Sequence, residues 1–397
     1  MSINSDTERY DAVVVGGRAA GAATAMLMAR QGLDVLVVDR AAHGSDTLST
    51  HALLAPAVHL LDRWGLLEAV AAGGAPAIEA TRMTYGNGGQ EIEFDLSDRP
   101  LYAPRRTHID PLLADAALLA GADVRFDTPV KGLLRDIKGN VNGVSIETSR
   151  GVEDVRASLV IGADGIRSFV AREVEAPVTY RGAEAMACVM GYFEGIDRPN
   201  AYHWHHTTTA AAGSIPTNDD GYAVFGAVSK ATFRAEVRDD VEAGFLAALD
   251  DASPDLADRV RNASGASRLR SWPGERSFTK QAAGPGWALV GDAGSFIDPM
   301  TAHGMSAAFR DAQAVADAAA CALGDPAGAA DAWAAYEAGR DEIARPMIDA
   351  VDRIVAFNED IDAIQQAHIA LAKLVGREVK HIVGLDQHAD PCLRAAA

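Results

Sequence analysis

Residues 13–25, VVVGGRAAGAATA, leave the chain few ways to fold. The run that ends in them, YDAVVVGG, is short, apolar and β-branched, as a strand buried on both faces of a parallel sheet must be. AAGAATAMLMARQ, residues 19–31, is rich in strong helix formers, and Gly32 then stops it. LDVLVVDR is a second buried strand. Strand, glycine turn, helix and strand within about thirty residues predict a βαβ unit. Such a unit binds a dinucleotide when its turn follows G-x-G-x-x-G. There the first glycine makes the turn, the second lets the backbone approach the pyrophosphate, and the third packs helix on strand. Gly16 and Gly21 fill the outer positions, Ala20 precedes the last, and Arg18 takes the middle one. Asp39 ends the second strand, about twenty residues on, where an acid meets a ribose hydroxyl; Arg40 follows it. Arg18 has two readings. Its side chain turns away while its amide serves a phosphate, or its guanidinium pairs with that phosphate.

Charge narrows the partners. The 397 residues carry a formal net charge of -19, which repels nucleic acid and anionic membrane surfaces. Hydrophobic residues make up 48% and charged residues 23%, the balance of a chain with an ample core. No run reaches the roughly 18 apolar residues of a membrane span. The N-terminus has no basic region leading into an apolar core, so a signal peptide is not expected and a cytoplasmic location is. Cys188, Cys321 and Cys392 are odd in number and scattered, which argues against a disulfide framework or a zinc cluster.

Two further stretches carry chemistry. VIGADGIRS, residues 160–168, ends a buried strand and turns at Asp164-Gly165. GWALVGDAGSFIDPMTAHGMSAAFRDA, residues 286–312, delivers Asp292 at the C-terminal end of a strand, where open α/β sheets bind ligands. A helix starts near Gly304, and the Gly304 and Met305 amides stabilise negative charge at its N-terminus. Between these stretches, residues 178–270 read as short strands broken by turns such as TNDDG. The expected organisation is α/β. Residues 1–177 and 271–325 form the two parts of a Rossmann-like domain, 178–270 an inserted, mostly antiparallel sheet domain, and 326–397 a helical C-terminus.

Taken in order, with RTHID (106–110) between the first two, these stretches resemble flavoprotein monooxygenases of the para-hydroxybenzoate hydroxylase type. Geranylgeranyl reductases and flavin-dependent halogenases are relatives of that family. The resemblance runs from about Tyr10 to Ala320. It implies non-covalent FAD, with the pyrophosphate on the Gly16–Gly21 loop, the adenosine ribose on Asp39, and cofactor contacts at Arg106 and at the Val130 backbone. It implies Asp292 on the ribityl chain and Gly304 and Met305 under the flavin pyrimidine edge. Thr50 and His51, in STHA, would lie beside the isoalloxazine, and Asp164 would serve both FAD and NAD(P)H. TAHGMS (301–306) departs from the family's glycine- and asparagine-bearing loop. The tryptophan-rich halogenase signature is missing, since Trp204 stands alone in YHWHH and Ile215-Pro216 has no tryptophan beside it. Halogenation is therefore not the expected reaction.

The expected reaction is insertion of one oxygen atom, by hydroxylation or epoxidation through a flavin hydroperoxide, into a small aromatic or unsaturated substrate. NAD(P)H would supply electrons, directly or through a separate flavin reductase. The alternative is a reductase of the geranylgeranyl type, acting on a hydrophobic unsaturated substrate. A plain NAD(P) dehydrogenase would explain only residues 10–40, and a non-catalytic flavin sensor would bind without turnover. His51 and His303 are the candidate catalytic side chains, each weighed against a packing or capping role. In YHWHH, His203 and His205 fall on one face of a strand and Trp204 and His206 on the other. No acid or cysteine lies close enough in sequence to make them a metal site.

Overall fold

In the computed structural model, which describes residues 8–385 except 87, 90, 197 and 359, the expected βαβ unit forms. Strands β1 (Arg9–Val15) and β2 (Val35–Val38) are parallel neighbours joined by helix α1 (Ala19–Arg30). All of β2 and residues 12–15 of β1 are buried, as their unbroken apolar runs require. Strand β3 (Asp123–Arg125) extends the sheet beyond β2, and β4 (Gly151–Gly162) lies parallel on the other side of β1. Outside β4 sits Trp287–Leu289, also parallel, with Trp287 opposite Val160. The second half of the chain thus completes the first half's sheet. Helix α1 packs against α2 (Arg106–Leu119) and α3 (Gly304–Gly324).

The second sheet centres on β5 (Met186–Glu194), β6 (Tyr202–His206), β7 (Ala210–Pro216) and β8 (Tyr222–Ser229). Its order runs β5-β8-β7-β6, and two strands from earlier in the chain, Ala80–Tyr85 and Glu91–Asp95, continue it. The sheet expected over 178–270 therefore draws on residues before 178. Val178–Arg181 instead joins Phe278–Lys280 and Ser295–Phe296 in a small separate sheet. All pairings in the second sheet are antiparallel except that of β6 with Ala80–Tyr85.

Alternation along β5 explains how this sheet is covered. Ala187, Val189 and Phe193 pack with Phe245, Leu249 and Leu256, which belong to helices Val241–Ala252 and Pro254–Arg261. Met186, Cys188 and Met190 face the other way, with Trp204 and Phe225, into the core shared with the first domain. Helices α4 (Ala329–Val355) and α5 (Ile361–Gly384) form the C-terminal part, α5 lying on α4 and on helix Ala55–Arg63. Among the described residues no helix is long and apolar enough to cross a membrane. Cys188 is buried and free, but Cys321 in α3 is disulfide-bonded, which corrects the expectation of none; Cys392 lies outside the described residues.

Candidate functional site

The glycine loop has the geometry its outer glycines require. Gly16 holds a left-handed φ of 107°, and a Cβ there would come 2.5 Å from the Ala163 carbonyl oxygen. A Cβ on Gly21 would come 1.8 Å from the Gly16 carbonyl oxygen, so α1 meets β1 too closely for any side chain. The Gly17 amide donates to Asp39 Oδ2 at 2.7 Å, and the Ala41 amide donates to Oδ1 at 2.8 Å. Asp39 therefore grips the loop from the end of β2. Arg18 precedes α1 in extended backbone, and its Nη2 donates to Ser45 Oγ at 3.2 Å. No side chain caps α1. Its first-turn amides face the loop without a side-chain acceptor, the arrangement that receives anions. The Thr128 amide bonds the Asp39 carbonyl at 2.8 Å, which sets Val130, two residues on, close to that acid. Arg40 is exposed.

The third motif meets this loop directly. Gly291 has φ 58°, and a Cβ on it would lie 2.9 Å from the Ala20 Cβ. That close approach brings Asp292 to the start of α1. Among the described residues the Asp292 carboxyl accepts no hydrogen bond. Burial pushes it up to about 6, with Arg106 opposing and Asp311 adding to the rise. Arg106 opens α2 and is fixed by a two-pronged contact to Asp110, Nε to Oδ1 at 3.0 Å and Nη2 to Oδ2 at 2.9 Å. Helix α3 begins at Gly304 without a side-chain cap, and a Cβ on Gly304 would meet nothing within 4 Å. Met305 beside it is buried, and the buried Thr301 and Ser306 hydroxyls have no partner among the described residues. Buried polar groups normally find one, so these hydroxyls call for a polar partner that the protein itself does not supply.

His51 sits where the two domains meet. It is buried, with φ 63°, a left-handed backbone that is uncommon for any residue with a side chain. Its Nε2 lies 2.5 Å from the Tyr192 hydroxyl of β5, and its Nδ1 has no partner among the described residues. Burial, then Arg106, Arg105 and Arg270, lower its pKa to about 3, so the ring is neutral at neutral pH. The Arg105 guanidinium lies 4.3 Å over the Tyr192 ring. Arg105 and Arg270 both reach Asp46, at 3.6 and 3.1 Å. Tyr192, Arg105 and Arg270 escape sequence reasoning because they come from distant segments. The only signals are the inward period of β5 and the RR before THID. Thr50, next to His51, is half-buried.

Asp164 and His303 are engaged within the chain. Asp164 accepts from Ser168 Oγ at 2.5 Å and from the Phe169 and Val170 amides at 2.6 and 3.2 Å, capping helix Phe169–Glu173. His303 Nε2 lies 2.8 Å from Glu378 Oε2 of α5. In YHWHH the alternation holds. His203 bonds the Pro199 carbonyl and His205 meets Arg198, while Trp204 packs on Phe225 and His206 on His368.

A glycine turn under an uncapped helix, a strand-end acid and a second strand-end acid against the same turn define a dinucleotide-binding α/β protein with an inserted sheet domain. The chain belongs to the FAD binding domain family, whose model matches residues 9–351. It is 30% identical over 331 residues to digeranylgeranylglycerophospholipid reductase 2 of Methanothermobacter thermautotrophicus, covering 79% of each chain. Its fold is similar to that of the flavin-dependent brominase Bmp2, with a TM-score of 0.79 at 20% identity, over 94% of this chain and 93% of that one. PqsL of Pseudomonas aeruginosa, "a probable FAD-dependent monooxygenase", has a TM-score of 0.77 at 21% identity, over 91% of this chain and all of PqsL (100%). The family and these neighbours are FAD-dependent oxidoreductases.

Proposed function

We propose that this chain is an FAD-dependent monooxygenase of a small apolar, aromatic or unsaturated substrate, with NAD(P)H as the electron source. The observation that carries the reading is the set of buried polar atoms at His51, Thr301 and Ser306 that have no partner among the described residues, with Met300 and Met305 sharing a core with Met190, Trp204 and Phe225 of the second sheet. FAD would be held non-covalently by Gly16, Ala20, Gly21 and the start of α1 at its pyrophosphate, and by Asp39 at the adenosine ribose. Arg40, Thr50, Arg106 and Val130 would lie along it, Asp292 would accept from its ribityl hydroxyls, and Gly304 and Met305 would face its pyrimidine edge. Asp164 would contact FAD and NAD(P)H from the turn after β4. When bound, FAD supplies electron transfer to oxygen. The protein's own tasks are to exclude water with Met190, Trp204 and Phe225, to seat the substrate, and to steady charge with the α3 amides. The neutral His51 holds or accepts a proton at Nε2 across its contact with Tyr192.

With an identified substrate, label from oxygen gas should enter the product at about one atom per turnover, as oxygen insertion requires. The 30% identity to a reductase favours one alternative. In that reading the chain reduces an unsaturated substrate, turnover continues without oxygen and the product carries no label. Full anaerobic turnover would end the monooxygenase reading.

Arg18→Gly should retain FAD with little change in affinity. Its guanidinium is turned to Ser45, and the backbone amides remain. If the side chain instead pairs with a phosphate, flavin titration would show a loss of roughly 1.5–3 kcal/mol, the scale of a bond to a charged group.

A further inference from the structure

We infer that Glu378, on the last helix, is a positioning residue for the start of α3, so that α5 completes the flavin site from outside the region that matches the family. The inference rests on the FAD reading above. The family match ends at residue 351, and Glu378 lies beyond it. Its side chain is nevertheless fully buried against α3. A buried carboxylate is costly unless it is paired, and this one is paired twice. Oε1 accepts from Arg310 Nη1 at 2.9 Å, and Oε2 lies 2.8 Å from His303 Nε2, an ion-pair contact without hydrogen-bond alignment. Burial opposes its ionisation, but His303 and Arg310 hold it down to about 2, so it stays a carboxylate.

The two partners are not equivalent. Arg310 also bonds Asp311 Oδ1, at 3.0 Å through Nε and 2.7 Å through Nη2, and keeps a carboxylate without Glu378. His303 has no other acidic partner among the described residues. It is the residue before Gly304, at a helix start that no side chain caps and that opens onto space. The residue before it, Ala302, has a left-handed φ of 53°, so the chain turns sharply into the helix. Holding His303 therefore fixes the direction of the Gly304 and Met305 amides. Helix α5 is itself anchored beyond this contact. His368 packs against His206 and Tyr85 of the second sheet, and Arg63 reaches the Leu385 carbonyl. One helix thus ties the substrate sheet to the helix start that faces the flavin.

The test uses the full chain with Glu378→Gln, His303→Gln and the double variant. FAD titration, the visible spectrum of bound flavin and amide exchange over residues 299–306 are measured for each. Glu378→Gln keeps the side-chain shape and removes the charge. It should bind FAD roughly tenfold more weakly, a change of one modest interaction. Its flavin bands should shift and the Gly304 and Met305 amides should exchange faster. His303→Gln should reproduce this, and the double variant should be no worse than either single one, since the two residues act as a unit. Wild-type affinity and spectrum in Glu378→Gln, even with a lower melting temperature, would overturn the proposal, as would additive losses. If Glu378→Gln does not accumulate, His303→Gln decides alone, because it leaves the Glu378–Arg310 pair intact; an unchanged spectrum and affinity there also overturn it. A wild-type chain that takes up no FAD would instead bring down the parent reading.

Discussion

Asp292→Asn should bind FAD about ten- to a hundredfold more weakly than the wild type, while its flavin-free form is the more stable protein at neutral pH. The loss in binding is that of hydrogen bonds to a charged acceptor, on the order of 1–3 kcal/mol. The gain in stability follows from the same side chain. Among the described residues Asp292 has no donor of its own, and burial moves its carboxyl from an ordinary 3.8 up to about 6. A carboxyl raised on folding favours the folded state most while it is protonated. Stability therefore falls as pH rises from the unfolded value through 6, and stays lowered above it. The interval is worth on the order of 3 kcal/mol. Asparagine fills the same space without charge. Melting of both flavin-free proteins from pH 4 to 8 should show the variant's advantage growing across that window and levelling above it. Unchanged FAD affinity in the variant would remove Asp292 from the ribityl chain.

Gly21→Ala should be a severely damaging single methyl. Its Cβ would lie 1.8 Å from the Gly16 carbonyl oxygen and 3.0 Å from the Ala163 side chain, and two of the atoms nearest it belong to backbone that cannot step aside. The first turn of α1 must then lift off β1. The expected cost is roughly 3 kcal/mol or more of stability, at or above the upper end of overpacking, with FAD retention lost. Gly304→Ala is the informative contrast. Its Cβ meets nothing of the protein within 4 Å, and alanine is the better helix former. The flavin-free melting temperature should hold or rise while FAD binding weakens, because the methyl points into the room the cofactor would use. Wild-type FAD affinity in Gly304→Ala would place the flavin edge elsewhere.

These contrasts also show which parts of the site the sequence reveals. The turn at Gly16, the packing at Gly21 and the acid at Asp39 are legible because their causes are local. A tight turn, a close helix and a strand end all leave marks within one βαβ unit. The second sheet is legible as a sheet, but not its extent, because Ala80–Tyr85 and Glu91–Asp95 join it from a hundred residues away by pairing alone. Asp164 reads as a cofactor residue by motif, while its contacts to Ser168 and two amides are seen only in the packed structure. The Tyr192 contact with His51 and the Glu378 contact with His303 join residues with no shared periodicity. Only the packed structure brings them together.

Interleaving has a consequence for biosynthesis. The strand Trp287–Leu289 lies against β4, and Trp287 faces Val160. A ribosome must therefore translate the whole inserted sheet before the nucleotide-binding sheet can gain that strand. Long-range parallel pairing of this kind forms slowly. Meanwhile β5 to β8, whose partners are mostly close in sequence, can assemble as the chain emerges. The inserted sheet would act as the early scaffold, and the turn carrying Asp292 would reach the glycine loop late.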